Sequence, residues 1–151
     1  MDMDFRNKNV VFLGIGGISM SALARLVFSM GANVFGSDIK ENEQTKFLAE
    51  NKIAKIRIGN VPSFVINCDF VVYSSAIPKN NPDLKLAKRL KKKVLERSTM
   101  LGILSCKYKN VIAISGTHGK TTTTSLLGWI FETSKQNPTV WTLASGLRSR
   151  L

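Results

Sequence analysis

Cysteine, histidine and acidic residues are scarce in this chain, and each scarcity excludes a kind of chemistry. Two cysteines, Cys68 and Cys106, and one histidine, His118, occur in 151 residues. A disulfide framework needs several paired cysteines and a structural metal site needs about four His or Cys ligands, so neither is encoded. Long hydrophobic runs are also missing. Stretches such as Val10 to Leu13 and Val111 to Ile114 fall far short of the roughly 20 apolar residues that cross a bilayer. The opening Met1-Asp2-Met3-Asp4 is acidic where a secretory signal is basic, and no apolar segment with a small-residue cleavage site follows. These features predict a cytoplasmic chain without a membrane span.

What is present is ordinary globular composition, 44% hydrophobic and 21% charged, which excludes a disordered or collagen-like chain. The length fits one domain, or one domain and the opening of a second. Net charge is +12, from 22 Lys and Arg against 10 Asp and Glu. From Lys79 to Lys109 ten basic residues face two acidic ones, Asp83 and Glu96, with Tyr108 the only ring. Base stacking needs interleaved aromatics, so this stretch reads as a solvated basic face and no nucleic-acid partner is expected.

Hydrophobic periodicity organises the rest. A β-branched and aromatic run at Asn9 to Leu13, a glycine turn, and Met20, Leu23, Ala24, Val27 and Met30 at helical spacing predict strand, turn and a helix over Ser19 to Met30. Gly31 stops that helix and Ala32 to Phe35 predicts a second strand, completing one βαβ unit from which Gly36-Ser37-Asp38 departs. The alternation continues through a helix near Gln44 to Asn51, strands at Lys55 to Ile58 and Phe70 to Tyr73, and a helix from Pro82 to about Lys92. A short strand at Val94-Leu95 and a helix over Ser98 to Ser105 follow. The expected fold is therefore α/β, a Rossmann-like parallel sheet covered on both faces, occupying residues 1–106. Polar Cys106 to Asn110 reads as a boundary. Beyond it a strand at Val111 to Ser115, a second glycine-bearing turn, a helix from Thr121 to about Ser134 ended by Asn137-Pro138, and a strand at Thr139 to Leu143 are expected. Residues 107–151 thus read as the start of a second unit, too short to stand as an independent α/β domain.

Both turns carry chemistry for the same reason. A helix N-terminus presents unpaired N–H groups and positive potential, and glycine lets a phosphate approach them. The first turn, Gly14-Ile15-Gly16-Gly17-Ile18-Ser19, opens like the dinucleotide fingerprint but has Ser19 where the third glycine belongs. Asp38, 24 residues after Gly14, is placed to accept from a ribose or another polyol. The second turn reads Gly116, Thr117, His118, Gly119, Lys120, Thr121, Thr122. Lys120 is expected to carry its charge to the β- and γ-phosphates of ATP, and the Thr121 hydroxyl to face Mg²⁺. A strict Walker A loop has a glycine where this chain has Ile114, so the loop is a shortened relative. His118 reads as positional.

Together, Gly14 to Ser21, Gly36-Ser37-Asp38, Ser74-Ser75-Ala76-Ile77, Asn81-Pro82 and Gly116 to Thr124 resemble the Mur ligases, over about residues 9 to 140. The resemblance implies a UDP-sugar-binding domain followed by an ATPase domain. It also implies the branch that ligates L-alanine to UDP-N-acetylmuramate through an acyl phosphate, in peptidoglycan synthesis. On that resemblance Gly14 to Ser19 would cradle the UDP pyrophosphate, with Asp38, Ser74 and Ser75 lining the nucleotide-sugar pocket. Lys120 would stabilise the transferring phosphoryl group and Thr121 would hold Mg²⁺. The family's acidic metal ligand, base pocket and amino-acid domain find no counterpart in these residues, and Trp141 to Leu151 departs from the family pattern. The chain is accordingly expected to be an incomplete fragment. Three other readings stay open: a UDP-sugar-binding module without catalysis, the murein tripeptide ligase of the same family, and an NAD-dependent oxidoreductase resting on the first turn alone.

Overall fold

The computed structural model describes residues 3–142 and the backbone of 146–148. Five short strands, β1 (Asn9–Leu13), β2 (Asn33–Asp38), β3 (Ala54–Ile58), β4 (Phe70–Tyr73) and β5 (Lys93–Glu96), form one all-parallel sheet in the order β3-β2-β1-β4-β5. Parallel neighbours need crossover connections, and helices supply them. These are α1 (Ile18–Ser29), α2 (Glu43–Glu50), α3 (Pro62–Ile66) and α4 (Pro82–Arg89), with α5 (Arg97–Ser105) following β5.

Strand side chains alternate between two faces, and that alternation splits the core in two. Val10 and Phe12 of β1 join Met20, Leu23, Leu48, Met100 and Leu104 under α1, α2 and α5. Val11 and Leu13, one residue out of phase, join Val61, Val65, Leu84 and Ala87 under α3 and α4. Val10 to Leu13, four of the five β1 residues, are each at most 1% exposed, and neither face of that stretch meets solvent. That is the burial expected of a central parallel strand.

Local signals set the helix ends. Asn42 and Thr45 form a reciprocal capping box at α2. Asn81 accepts from the Leu84 amide at the start of α4, where Pro82 occupies the first turn. This helix stops at Arg89 rather than near Lys92, because Lys91 turns into the left-handed region at φ 52°. Strand β2 runs through Gly36-Ser37-Asp38 instead of releasing them, since Ser37 and Asp38 still pair with Arg57 and Ile58. Helix α3 has no counterpart in the sequence reading. At five residues it is too short to show a period.

After α5 the chain passes to α6 (Lys120–Thr133), then to β6 (Val140–Thr142) and β7 (Gly146–Arg148), an antiparallel pair. The expected strand at Val111 to Ser115 is not formed: no strand among the described residues pairs with it, and Val111 and Ile112 are more than half exposed. A β-branched run becomes a strand only where another backbone accepts its hydrogen bonds. Of the strand expected over Thr139 to Leu143, Val140 to Thr142 is present and Leu143 lies outside the described residues.

Candidate functional site

The sheet order places a topological switch at β1. From it the chain winds outward through β2 and β3 on one side, then returns to β4 and β5 on the other. In open α/β sheets the ligand crevice lies outside the carboxyl ends of the strands at such a switch. Here the carboxyl end of β1 leads into Gly14, and the carboxyl end of β4 leads into Ser74.

These two turns lie against each other. A Cβ on Gly14 would sit 3.3 Å from Ile77 Cδ1 and 3.7 Å from Ser74 Cβ, and Gly14 holds φ at +79°, which only glycine adopts freely. Ser74 is half-buried; its carbonyl accepts from the Ile77 amide at 2.9 Å and its Oγ from the Ala76 amide at 3.3 Å, which folds the turn. Ser75 is exposed at the tip.

Backbone donors in the first turn divide into two sets. The Gly14 and Ile15 amides both donate to the Ser37 carbonyl, at 2.8 and 3.0 Å, and the Gly17 amide donates to the Gly14 carbonyl at 3.3 Å. The Gly16 amide donates to Asp38 Oδ2 at 2.8 Å, while Asp38 Oδ1 accepts from the Ile39 amide. Asn42 Nδ2 donates to the Gly16 carbonyl at 3.1 Å. Gly14 to Gly17 therefore spend their amides on building the turn. The donors that open outward are those of Ile18, Ser19 and Met20, the first turn of α1, whose N-cap Gly17 makes no side-chain cap. Asp38, expected as a ligand group, is tied to the turn itself.

One residue absent from the sequence expectations enters this site. Arg97, at the start of α5, donates from Nη1 to Ser19 Oγ at 3.1 Å across 78 residues of sequence. No motif spacing carries that signal; only the adjacency of α1 and α5 on one face of the sheet does.

The second turn stands apart from the first: among the described residues no hydrogen bond or ion pair joins them. Gly119 is the N-cap of α6 at φ 76°, and Thr117, His118, Lys120, Thr121 and Thr122 are all exposed. The Lys120 ammonium folds back over the loop and donates to the carbonyls of Gly116 and Thr117. A groove of about 450 Å³ between α5 and α6, lined by residues including Leu104, Tyr108, Leu127 and Trp141, contains no residue of either turn.

Comparisons with known proteins agree with this architecture. The family described as "Mur ligase family, catalytic domain" matches residues 9–109. The UDP-N-acetylmuramate–L-alanine ligase of Caldicellulosiruptor bescii is 50% identical over 129 residues, 85% of this chain and 28% of that protein. Among solved structures, UDP-N-acetylmuramate-alanine ligase MurC of Thermotoga maritima superposes with a TM-score of 0.84 at 28% identity, covering 95% of this chain and 35% of that one. A murein peptide ligase of Psychrobacter arcticus follows at TM-score 0.78 and 27% identity, covering 85% of this chain and 27% of that one. The chain thus spans less than a third of the length of the curated relatives it matches. Its two-faced parallel sheet, the glycine turn between β1 and α1 at the switch point and a family match over residues 9–109 lead to one conclusion: the chain belongs to the Mur ligase family.

Proposed function

We propose that the chain supplies the UDP-sugar unit and the ATP loop of an ATP-dependent ligase that joins L-alanine to UDP-N-acetylmuramate in the cytoplasm. Residues 1–106 form the UDP-sugar domain and 107–151 the opening of the ATPase domain. The observation that carries the reading is the outward-facing first turn of α1, beside Ser74 at the sheet's switch point. A uridine diphosphate placed there meets the amides of Ile18 and Ser19, while Gly14, Ile15, Gly16 and Gly17, with Asp38, keep the turn in shape. Ser74 and Ser75 lie on the adjoining wall.

At the second turn the amides of Thr117 to Thr122 and the Lys120 ammonium suit a triphosphate. Lys120 would exchange the carbonyls it now holds for phosphate oxygens, and so stabilise charge on the phosphoryl group in transfer. Thr121 suits Mg²⁺ because the residue is exposed and its hydroxyl makes no hydrogen bond among the described residues. Among the described residues no cluster of three His, Cys, Asp or Glu side chains could hold a metal. Phosphate oxygens and water would supply further ligands beside Thr121, and the acidic ligand that the family resemblance implies has no counterpart among the described residues. Bound there, Mg²⁺ would neutralise phosphate charge.

Membership of the Mur ligase family supports the reaction class. Phosphorylation of the lactyl carboxylate gives an acyl phosphate, and the amino group of L-alanine displaces inorganic phosphate to form the amide. Relatives named for L-alanine, at 50% identity, favour this amine over a peptide.

Calorimetric titration of the chain with UDP-N-acetylmuramate, Mg-ATP and NADH in parallel tests the reading. Binding of the UDP-sugar without binding of NADH is the expected result. Binding of NADH alone would overturn it in favour of the oxidoreductase reading.

A further inference from the structure

We propose that Arg97 clamps the diphosphate of the UDP-sugar, a role resting on the reading of the first turn as the UDP-sugar site. Helices α1 and α5 lie on the same face of the sheet and both begin at its carboxyl edge. Neither N-terminus has a side-chain cap, and neither first turn contains an acidic residue. Glu96, the residue before α5, is exposed and makes no cap bond. Two positive helix ends therefore lie side by side, and the Arg97 guanidinium spans them through Ser19 Oγ at 3.1 Å.

Charge balance around the turn points the same way. Asp38 places a carboxylate on the Gly16 amide, so an anion is repelled from the β2 side of the turn. On the other side stand the unpaired amides of Ile18 to Met20 and a half-buried guanidinium that forms no ion pair among the described residues. A guanidinium has five N–H donors in a fixed fork and one of them reaches Ser19, leaving others for phosphate oxygens. Ser19 thus orients the fork instead of neutralising it.

Titration of the wild-type chain and of Arg97→Gln with UDP-N-acetylmuramate and with UDP tests the assignment. Loss of one charge-assisted hydrogen bond to phosphate predicts binding weaker by about 10- to 100-fold. The loss should be equal for the two ligands, because the diphosphate is their shared charged group, and the thermal midpoint of the free protein should not change. Arg97→Lys, which keeps the charge without the fork, should recover part of the loss, and it serves in place of Arg97→Gln if that variant does not fold. Wild-type affinity in Arg97→Gln, or in both variants, overturns the assignment. So does a loss confined to the UDP-sugar, which would put Arg97 on the muramic acid portion. If the wild-type chain binds neither ligand, the UDP-sugar reading fails and the clamp fails with it.

Discussion

Gly16 illustrates how tightly single residues constrain the first turn. A Cβ there would stand 2.5 Å from Asn42 Nδ2 and 2.8 Å from Asp38 Oδ2, the two side chains that hold the Gly16 carbonyl and amide. Gly16→Ala should push both away, costing about 1–3 kcal/mol as an overpacked site, and chemical denaturation would read the loss. Asp83 constrains a different corner. Its carboxylate is 2% exposed and accepts from the Val61 amide at 2.7 Å. Burial holds this carboxyl above its ordinary value, partly offset by that hydrogen bond. Because the folded state keeps the proton to higher pH than the unfolded chain, the contribution of Asp83 to stability falls as pH rises out of the ordinary carboxylate range. Asp83→Asn retains an acceptor for Val61 and removes the buried charge. It should be at least as stable as wild type near pH 7 and should lose the advantage near pH 4. Thermal unfolding at both values checks the sign.

Among the elements, α2 and α6 differ in what holds their beginnings. The α2 N-cap Asn42 shares three hydrogen bonds with Thr45, one of them through its side chain, and donates from Nδ2 to the Gly16 carbonyl. Asn42→Ala should therefore cost about 1–2 kcal/mol of stability and also loosen the glycine turn. That second effect separates it from an ordinary cap: in urea titrations with and without UDP, the nucleotide should rescue the variant less than the wild type. At α6 the first turn is exposed and is bonded chiefly by Lys120 to its own loop. Removing that ammonium should leave the fold intact. Lys120→Ala is expected to abolish calorimetrically detectable Mg-ATP binding while UDP-N-acetylmuramate binds as before, because no hydrogen bond or ion pair among the described residues links the two turns.

At the scale of the whole molecule, the two regions differ in packing. Residues 9–105 close a doubly covered sheet, whereas 110–119 carry no regular structure and almost every residue there is exposed. Proteases cut where backbone can unfold locally at little cost. Limited proteolysis should nick first between Cys106 and Gly119 and leave a resistant fragment containing β1 to α5, as mass spectrometry of the early products would show. Initial cuts within 33–58 would contradict this division. No helix among the described residues is long and apolar enough to cross a membrane.

Much of this architecture was legible in the sequence because it depends on local signals. The Phe70 to Tyr73 strand was read residue for residue from its β-branched and aromatic run, and α1, α2, α5 and α6 lie within one residue of their expected ends. Period, caps and glycine turns act over a few residues, so composition along the chain is enough to place them. The pairing of Gly14 with Ser74, the attachment of Asp38 to Gly16, and the reach of Arg97 to Ser19 depend instead on strand order, which no spacing in the sequence encodes. The stretch from Val111 to Ser115 fails for the complementary reason. Its β-branched residues favour an extended backbone, but a strand exists only with a partner, and hydrogen-bond partners are supplied by tertiary structure.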